Sequence, residues 1–314
     1  MLDALSTTLT HTITLLAKSF RLSSLFPALC FVVVNYLLFL PRFFAEGTPS
    51  WLKDGSFGHP LFLTFLLTAL ISYTLNYLNF PLIYLAEGYP FRCTWWGRLM
   101  IAWYKARRDW LDEQAKLPGS EQKFYEMELA DYFPDRDRCA PTALGNVIAA
   151  FEAYPWDRYH IDAVYMWPRL LPVLNEEKYA VFVEREKEGF DFFLNLAVLS
   201  GLLVVECVIF RLVCERPVLT LIALLSGCIA FAFYQFAVWC ARNWGETIKT
   251  AFDLYRYQLA ERLALKPFER AGDELKRWEG ISYFIQGIQG GREAFDFDDF
   301  NYSLPKSRGT QVDK

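Results

Sequence analysis

Four apolar stretches, each long enough to cross a lipid bilayer, constrain the fold of this chain more than any other feature. Crossing ~30 Å of hydrocarbon takes about 20 helical residues. The stretches cover 22–44, 61–85, 190–212 and 218–241. One such stretch could be a buried helix of a soluble protein, but four in one chain favour a membrane protein. The sequence therefore predicts an all-α integral membrane protein with four transmembrane helices.

The spacing of the four spans predicts two hairpins. Only five residues separate the third span from the fourth, which forces the two helices to run antiparallel. Because 22% of the residues are charged, polar blocks must lie outside the hairpins. The predicted organisation is an N-terminal amphipathic helix (1–21), hairpin 1 (22–85), a cytoplasmic helical domain (86–189), hairpin 2 (190–241), and cytoplasmic C-terminal helices with an acidic-aromatic tail (242–314).

Basic residues predict the orientation, because cytoplasmic loops are enriched in Lys and Arg. Only two basic residues lie in or next to the loop of each hairpin, Arg42 and Lys53 in hairpin 1 and Arg211 and Arg216 in hairpin 2. An even number of spans places the N-terminus, the central domain and the C-terminus on the same side. We therefore expect a bacterial inner-membrane protein whose termini are both cytoplasmic. The basic residues that follow the second and fourth spans are Arg92, Arg98, Lys105, Arg107, Arg108, Arg242, Lys249, Arg256 and Arg262.

The chain carries no recognisable catalytic motif. It lacks a Gly-x-Ser-x-Gly sequence, a Walker loop and a His-Glu-x-x-His sequence. His160 stands near Asp162, but no nucleophile accompanies them. The seven cysteines form no metal-binding spacing, and a net charge of -4 does not favour nucleic acid. We expect no enzyme activity, no catalytic residues, no cofactor, no metal and no nucleic-acid partner.

Polar residues inside the predicted spans are the strongest functional signal, because they are costly in hydrocarbon. They either line a hydrated path or join helices by hydrogen bonds. Asn76 and Asn79 share one face of the second span, and Pro81 follows them. Glu206 is the one ionisable residue well inside a span. The whole set comprises Asn35, Asn76, Asn79, Asn195, Glu206 and Gln235.

Small residues predict close packing in the second hairpin. Ala197 and Gly201 are four residues apart in the third span, as are Ala223 and Gly227 in the fourth. A helical pattern also runs from Asn175, which is a candidate N-cap, into the third span. The sequence thus predicts one rod of roughly 37 residues, about 55 Å long.

In the cytoplasmic domain, a predicted helix over 93–117 carries three tryptophans on one stripe. Thr142 is a plausible N-cap for the helix that contains Val147. The segment 295–302 alternates aromatic and acidic residues, and we expect it to dock on the cytoplasmic domain. The candidate residues for sensing or docking in this domain are Arg98, Arg107, Arg108, Asn146, Arg158, Asp162 and Arg169.

Three short motifs carry a resemblance to a known family. They are the Pro-Thr-Ala-Leu-Gly-Asn at 141–146, the Tyr-His-Ile-Asp at 159–162 and the Trp-Pro-Arg-Leu at 167–170. Together they resemble the PTxLGN, RYGID and WPRL signature of uncharacterised prokaryotic membrane proteins with four spans. The chain departs from that signature at His160, where the pattern has glycine. The resemblance implies a common architecture and no activity.

These features favour a homo-oligomeric channel or pore-like effector in the lipid membrane, gated by its cytoplasmic domain. Bacterial proteins with four spans, a small cytoplasmic domain and no catalytic site include conditional effectors of antiviral defence, which is an analogy of fold alone. The expected partners are membrane lipid, further copies of the chain, and a soluble cytoplasmic protein or small signalling ligand. One alternative is a membrane scaffold that recruits a soluble partner, and another is a small transporter.

Overall fold

The structure is a computed structural model that describes residues 22–43, 58–214 and 217–287. Within these ranges the regular elements are helices and no strand occurs, so the all-α prediction is confirmed for them. The predictions for 1–21 and for 295–302 lie outside the described residues. The helices are α1 (Leu22–Phe43), α2 (Gly58–Tyr77), α3 (Asn79–Ala86), α4 (Trp95–Lys116), α5 (Gln122–Tyr132), α6 (Ala143–Tyr159), α7 (Ala163–Glu176), α8 (Ala180–Cys214), α9 (Pro217–Arg262) and α10 (Ala271–Gln286).

Three of these helices, α1, α8 and α9, are each long and apolar enough to cross a membrane. The pair α2 and α3 forms a fourth candidate if it counts as one span, but the two helices are bent by 64° at Leu78. Pro81 explains this break, because its ring has no N–H to bond the carbonyl of Tyr77 and clashes with that carbonyl. The stretch 61–85, predicted as the second span, therefore consists of two helices.

The start of α8 differs from the sequence-based prediction. Asn175 does not cap α8, since it lies near the end of α7. The backbone of Lys178 then adopts a φ of 61°, a left-handed conformation that interrupts the helix. The prediction of an unbroken helix from Asn175 is wrong, and the long helix begins at Ala180. The N-cap prediction for Thr142 is confirmed, because its Oγ1 accepts a hydrogen bond of 3.0 Å from the Gly145 N–H.

The chain forms two compact units, and their boundaries differ from those of the predicted domains. Of the described residues, unit 1 combines 22–43, 58–148, 184–214 and 217–244, and unit 2 combines 149–183 with 245–287. Unit 1 thus holds the apolar helices together with α4 and α5, which were predicted as part of a separate cytoplasmic domain. The helices α6, α8 and α9 each contribute residues to both units.

In unit 1, α1 packs lengthwise against α8, and both helices run in the same direction. Near their N-terminal ends the rings of Phe26 and Phe192 stack with centroids 5.9 Å apart. Toward their C-terminal ends Phe39 stacks on Phe210 at 4.4 Å. Further apolar contacts lie between these ring pairs, among them the cluster of Ala28, Leu75 and Leu199. The N-terminal ends of α1 and of the apolar part of α8 therefore lie at the same end of the bundle.

The core of unit 2 is apolar and aromatic. Phe252 of α9 and Trp278 of α10 are fully buried, and Trp167 of α7 contacts Phe252 with ring centroids 6.3 Å apart. Gly245 leaves room for the ring of Phe151, since a Cβ at this position would lie 2.4 Å from that ring. The glycine is needed here for close packing and not for a turn, because α9 continues through it without a break.

Candidate functional site: a polar network among the apolar helices

Hydrogen bonds made by polar side chains join α1, α2 and α8 at one end of the unit 1 bundle. The hydroxyls of Ser24 and Ser72 share a hydrogen bond of 2.9 Å, and both residues are buried. The Asn76 amide donates to the Ser24 hydroxyl at 2.9 Å. The Asn195 amide, also buried, donates to the Ser23 carbonyl at 3.0 Å. Two of the predicted intramembrane asparagines thus join helices here.

A buried ion pair lies beside the break between α2 and α3. The Lys187 ammonium bonds the Asp191 carboxylate at 2.8 Å and donates to the Asn79 side-chain oxygen at 3.1 Å. Asp191 is only 3% exposed. Because Asn79 is the first residue of α3, Lys187 connects α8 to the start of the bent segment. The same ammonium lies 5.8 Å from the centroid of the Trp244 ring.

A second level of polar side chains lies farther along helices α1 and α8. Asn35 of α1 donates to the Phe31 carbonyl at 3.1 Å and also hydrogen-bonds Glu206 of α8. Asn35 lies eleven residues after Ser24, or about 16 Å along the helix. The Oε2 atom of Glu206 is buried and has no hydrogen-bond partner among the described residues. The Thr68 hydroxyl of α2 is also buried and has no hydrogen-bond partner among the described residues.

The remaining intramembrane candidates lie elsewhere on α8 and α9. Gln235 is exposed on the surface of α9. Ala223 is buried in a cluster with Leu203 and Cys207, and a Cβ at Gly227 would contact the Val204 side chain at 3.9 Å. In α8, Ala197 is half-buried, and a Cβ at Gly201 would meet no described atom within 4 Å. Gly201 thus differs from Ala197, Ala223 and Gly227, because it borders open space within the described part of the chain.

The predicted docking residues of unit 1 have different environments. Arg98 is exposed, and its side chain has no hydrogen-bond or ion-pair partner among the described residues. Arg107 bonds Glu128 at 3.3 Å, and Arg108 donates to the Pro134 carbonyl at 2.9 Å. Asn146 is buried, where its amide donates to the Ala140 carbonyl at 3.1 Å and to the Thr142 carbonyl at 2.7 Å. Asn146 therefore fixes the turn that precedes α6.

The other docking candidates lie in unit 2. The Asp162 carboxylate caps α7 by accepting from the Tyr165 N–H at 3.1 Å, and it accepts from the Gln286 amide at 2.6 Å. Arg169 is exposed and donates to the Tyr165 carbonyl at 2.6 Å. Arg158 is exposed, with its guanidinium 5.7 Å from the Tyr154 ring centroid. These contacts stabilise unit 2 locally.

A tyrosine–aspartate cluster in unit 2 was missed by the sequence analysis. The hydroxyls of Tyr154 and Tyr159 donate to the Asp253 carboxylate at 3.1 and 2.7 Å. Burial, together with the bond to Asp253, raises the pKa of Tyr159 to about 12, so this hydroxyl stays a donor. Asp253 lies 99 positions after Tyr154 in the sequence. No local pattern therefore connects it with the two tyrosines. Only the spacing of Tyr154 and Tyr159 along one helix could have suggested a shared partner.

Glu152 of α6 gives unit 2 a predictable dependence on pH. Its burial, reinforced by the charge of Asp162, raises its pKa from 4.5 to about 7. The folded chain therefore holds this proton more tightly than the unfolded chain, and the free energy of unfolding falls as the pH rises from about 4.5 to about 7. We expect Glu152→Gln to be more stable than the wild type at pH 8, by at most about 3 kcal/mol, with little difference at pH 4.5.

Melting temperatures measured between pH 4.5 and 8 test this expectation. The matched control is Glu261→Gln, at an exposed glutamate of α9, which should leave the wild-type profile unchanged. Parallel profiles for Glu152→Gln and the wild type would contradict the assignment of the pH dependence to Glu152.

Within the described ranges, no group of three His, Cys, Asp or Glu side chains is arranged to hold a metal ion. The polar network places hydrogen-bonding groups at two levels along helices that are long and apolar enough to cross a membrane. Comparison with protein-family models, with curated proteins and with solved structures gave no match, so the resemblance to the PTxLGN, RYGID and WPRL family stays a prediction.

Proposed function

We propose that several copies of this chain form a membrane channel, or a pore-like effector, that the cytoplasmic part of the protein gates. The observation that carries the proposal is Glu206, whose Oε2 atom is buried and without a described partner beside Asn35. A buried carboxyl oxygen in an apolar bundle needs a water, an ion or a proton to offset its desolvation. A hydrated path that reaches Glu206 supplies such a partner.

The proposed topology has four spans in two hairpins, with α2 and α3 together forming the second span. It is supported by the parallel packing of α1 and α8, which places their N-terminal ends at the same end of the bundle. An even number of spans would then keep both termini and the central segment on one side. The basic residues after the second and fourth spans favour the cytoplasm of a bacterium for that side.

Assembly of several copies is supported by polar and small groups on the outside of the apolar helices. Gln235 exposes an amide on α9, which costs free energy in contact with lipid tails. Gly201 leaves open space on α8, where a neighbouring helix could approach closely. An interface between copies would bring both features into contact with protein.

Gating is supported by helix continuity. Both α8 and α9 pass from unit 1 into unit 2 without a break in the backbone helix. In this proposal a ligand or partner that binds the unit 2 part of these helices gates the pore. A conditional pore of this kind fits a role in bacterial defence, and the proposal assigns the protein no catalytic step.

A membrane scaffold is the second candidate, and one observation favours it. Helix α5 exposes Phe124 and Met127, which lie one turn apart. An exposed apolar pair of this kind is typical of a surface that binds another protein. A scaffold would bind a soluble partner and conduct no ions.

Ion flux from liposomes that contain the purified full chain tests the channel proposal. We expect the wild type to release entrapped ions, and Glu206→Gln to reduce the release several-fold, because the amide keeps the bond to Asn35 but removes the carboxylate. The matched control is Gln258→Glu, an exposed site of α9 outside the apolar spans, which should conduct like the wild type. Absence of flux from any assembled preparation, under every ligand condition tried, would overturn the channel and leave the scaffold.

A further inference from the structure

Helix α4 has two apolar faces, and within the described ranges only one of them packs on the protein. The packed face includes Leu111 and Ala115, which are buried, and Tyr104, whose ring lies 6.3 Å from that of Phe133. The other face begins with Trp95, Trp96, Leu99 and Trp103, and we call these four residues the tryptophan face.

The tryptophan face is strongly exposed in the described part of the chain. Trp95 is 73% exposed, and Trp96 and Trp103 are each 55% exposed. Soluble proteins seldom leave a contiguous apolar surface of this kind uncovered unless it is an interaction site. Tryptophan in particular is enriched at the boundary between lipid and water, where its ring contacts lipid and its N–H contacts polar groups.

The tryptophan face follows a candidate membrane span closely in sequence. Helix α3 ends at Ala86, only nine positions before α4 begins at Trp95. The Tyr84 ring of α3 stacks on the Tyr89 ring of the connecting turn, with centroids 4.9 Å apart and planes nearly parallel. Phe80 of α3 is 79% exposed. Exposed aromatic side chains therefore occur on α3, at Tyr89 of the connecting turn and on the tryptophan face.

Charge beside the tryptophan face points to anionic phospholipids. The side chains of Arg92 and Arg98 are exposed and have no partner among the described residues. The basic residues farther along α4 differ, because each is paired with an acidic residue. Lys105 pairs with Asp137, Arg107 with Glu128 and Arg108 with Asp135. Two guanidinium groups that have no described partner, each three positions from Trp95 in sequence, are suited to lipid phosphates.

From this arrangement we propose that the tryptophan face lies in the headgroup layer of the membrane and that Arg92 and Arg98 bind the phosphates of anionic phospholipids. Helix α4 is then an interfacial helix that follows the second span directly. The inference goes beyond the proposed channel and holds whether or not the protein conducts ions.

Fluorescence quenching by brominated phospholipids tests this proposal on the full chain in nanodiscs. The triple variant Trp95→Phe, Trp96→Phe, Trp103→Phe removes the emission of the three rings while keeping the face apolar. Rings exposed on the spans, such as Trp239 of α9, add a lipid-quenched background that both proteins share. The emission lost in the variant should also be quenched by brominated lipid in the wild type. Brominated phosphatidylglycerol should quench it more strongly than brominated phosphatidylcholine at the same mole fraction. The double variant Arg92→Gln, Arg98→Gln should abolish that difference.

The matched control is Trp278→Phe, at a fully buried ring of unit 2, which should leave the lipid-quenched emission unchanged. The proposal is overturned if brominated lipid does not quench the three rings. Quenching by aqueous iodide instead would show that the face is in water, and shielding from both quenchers would show that another segment or copy covers it. Equal quenching by the two lipids in the wild type would overturn the assignment of Arg92 and Arg98.

Discussion

Replacing Lys187 with methionine is expected to destabilise the protein by about 3–5 kcal/mol, because the substitution leaves the buried Asp191 carboxylate without its counter-ion. The ammonium bonds Asp191 at 2.8 Å, and Asp191 is almost fully buried. The same substitution removes the hydrogen bond to Asn79 at the start of α3. Both losses fall at the junction of α3 and α8, where the second candidate span is bent.

A second ion pair in the same chain provides the control for Lys187→Met. Lys116 and Asp112 are also four residues apart on one helix, but both side chains are much more exposed. Exposed pairs contribute about 0–1 kcal/mol, so Lys116→Met should change the melting temperature little. The double variant Lys187→Met, Asp191→Asn should recover much of the lost stability, since it removes the unpaired charge. Equal effects of Lys187→Met and Lys116→Met would show that the Lys187–Asp191 pair is not buried as the structure has it.

Replacing Gly145 with alanine is expected to have the second-largest effect. A Cβ at this position would lie 2.4 Å from the Glu87 carbonyl oxygen and 2.7 Å from the Ala140 Cβ. The first contact is with backbone, which cannot rotate away as a side chain can. Overpacking of this kind typically costs about 1–3 kcal/mol, and here it would separate α6 from the end of α3. We therefore expect a clear fall in the melting temperature.

The control for Gly145→Ala is Gly201→Ala. Gly201 is also a helical glycine of unit 1, but a Cβ there meets no described atom within 4 Å. Alanine favours a helix over glycine by about 1 kcal/mol, so Gly201→Ala should leave the monomer as stable as the wild type or more so. If Gly145→Ala unfolds at the wild-type temperature, the close approach of Gly145 to Glu87 is not present in the protein.

Much of the helical architecture was predictable, because the apolar stretches and helix caps are local signals. Thr142 was identified as an N-cap from its position before an apolar helix, and its hydroxyl does cap α6. The break at Leu78 was not predicted, although Pro81 lies three residues after it. The sequence does not show whether a helix bends at a proline or continues through it. The break before Ala180 was missed because a left-handed residue such as Lys178 has no compositional signal.

The candidate site was predictable in composition but not in pairing. The intramembrane asparagines were found because polar residues inside apolar stretches are rare. Their partners were not, since Asn195 bonds a carbonyl 172 positions away and Lys187 bonds Asn79 across 108 positions. The partner of Asn76, Ser24, is a small residue that gives no signal of its own. Contacts of this range depend on helix packing, which one sequence does not specify.

A single-particle image of the full chain in lipid nanodiscs tests the central claim most directly, because it shows both assembly and hydration. The account predicts several copies around a closed symmetry axis and a water-filled passage across the membrane that reaches Asn35 and Glu206. Isolated single copies surrounded by lipid, with a dry bundle at Glu206, would contradict it.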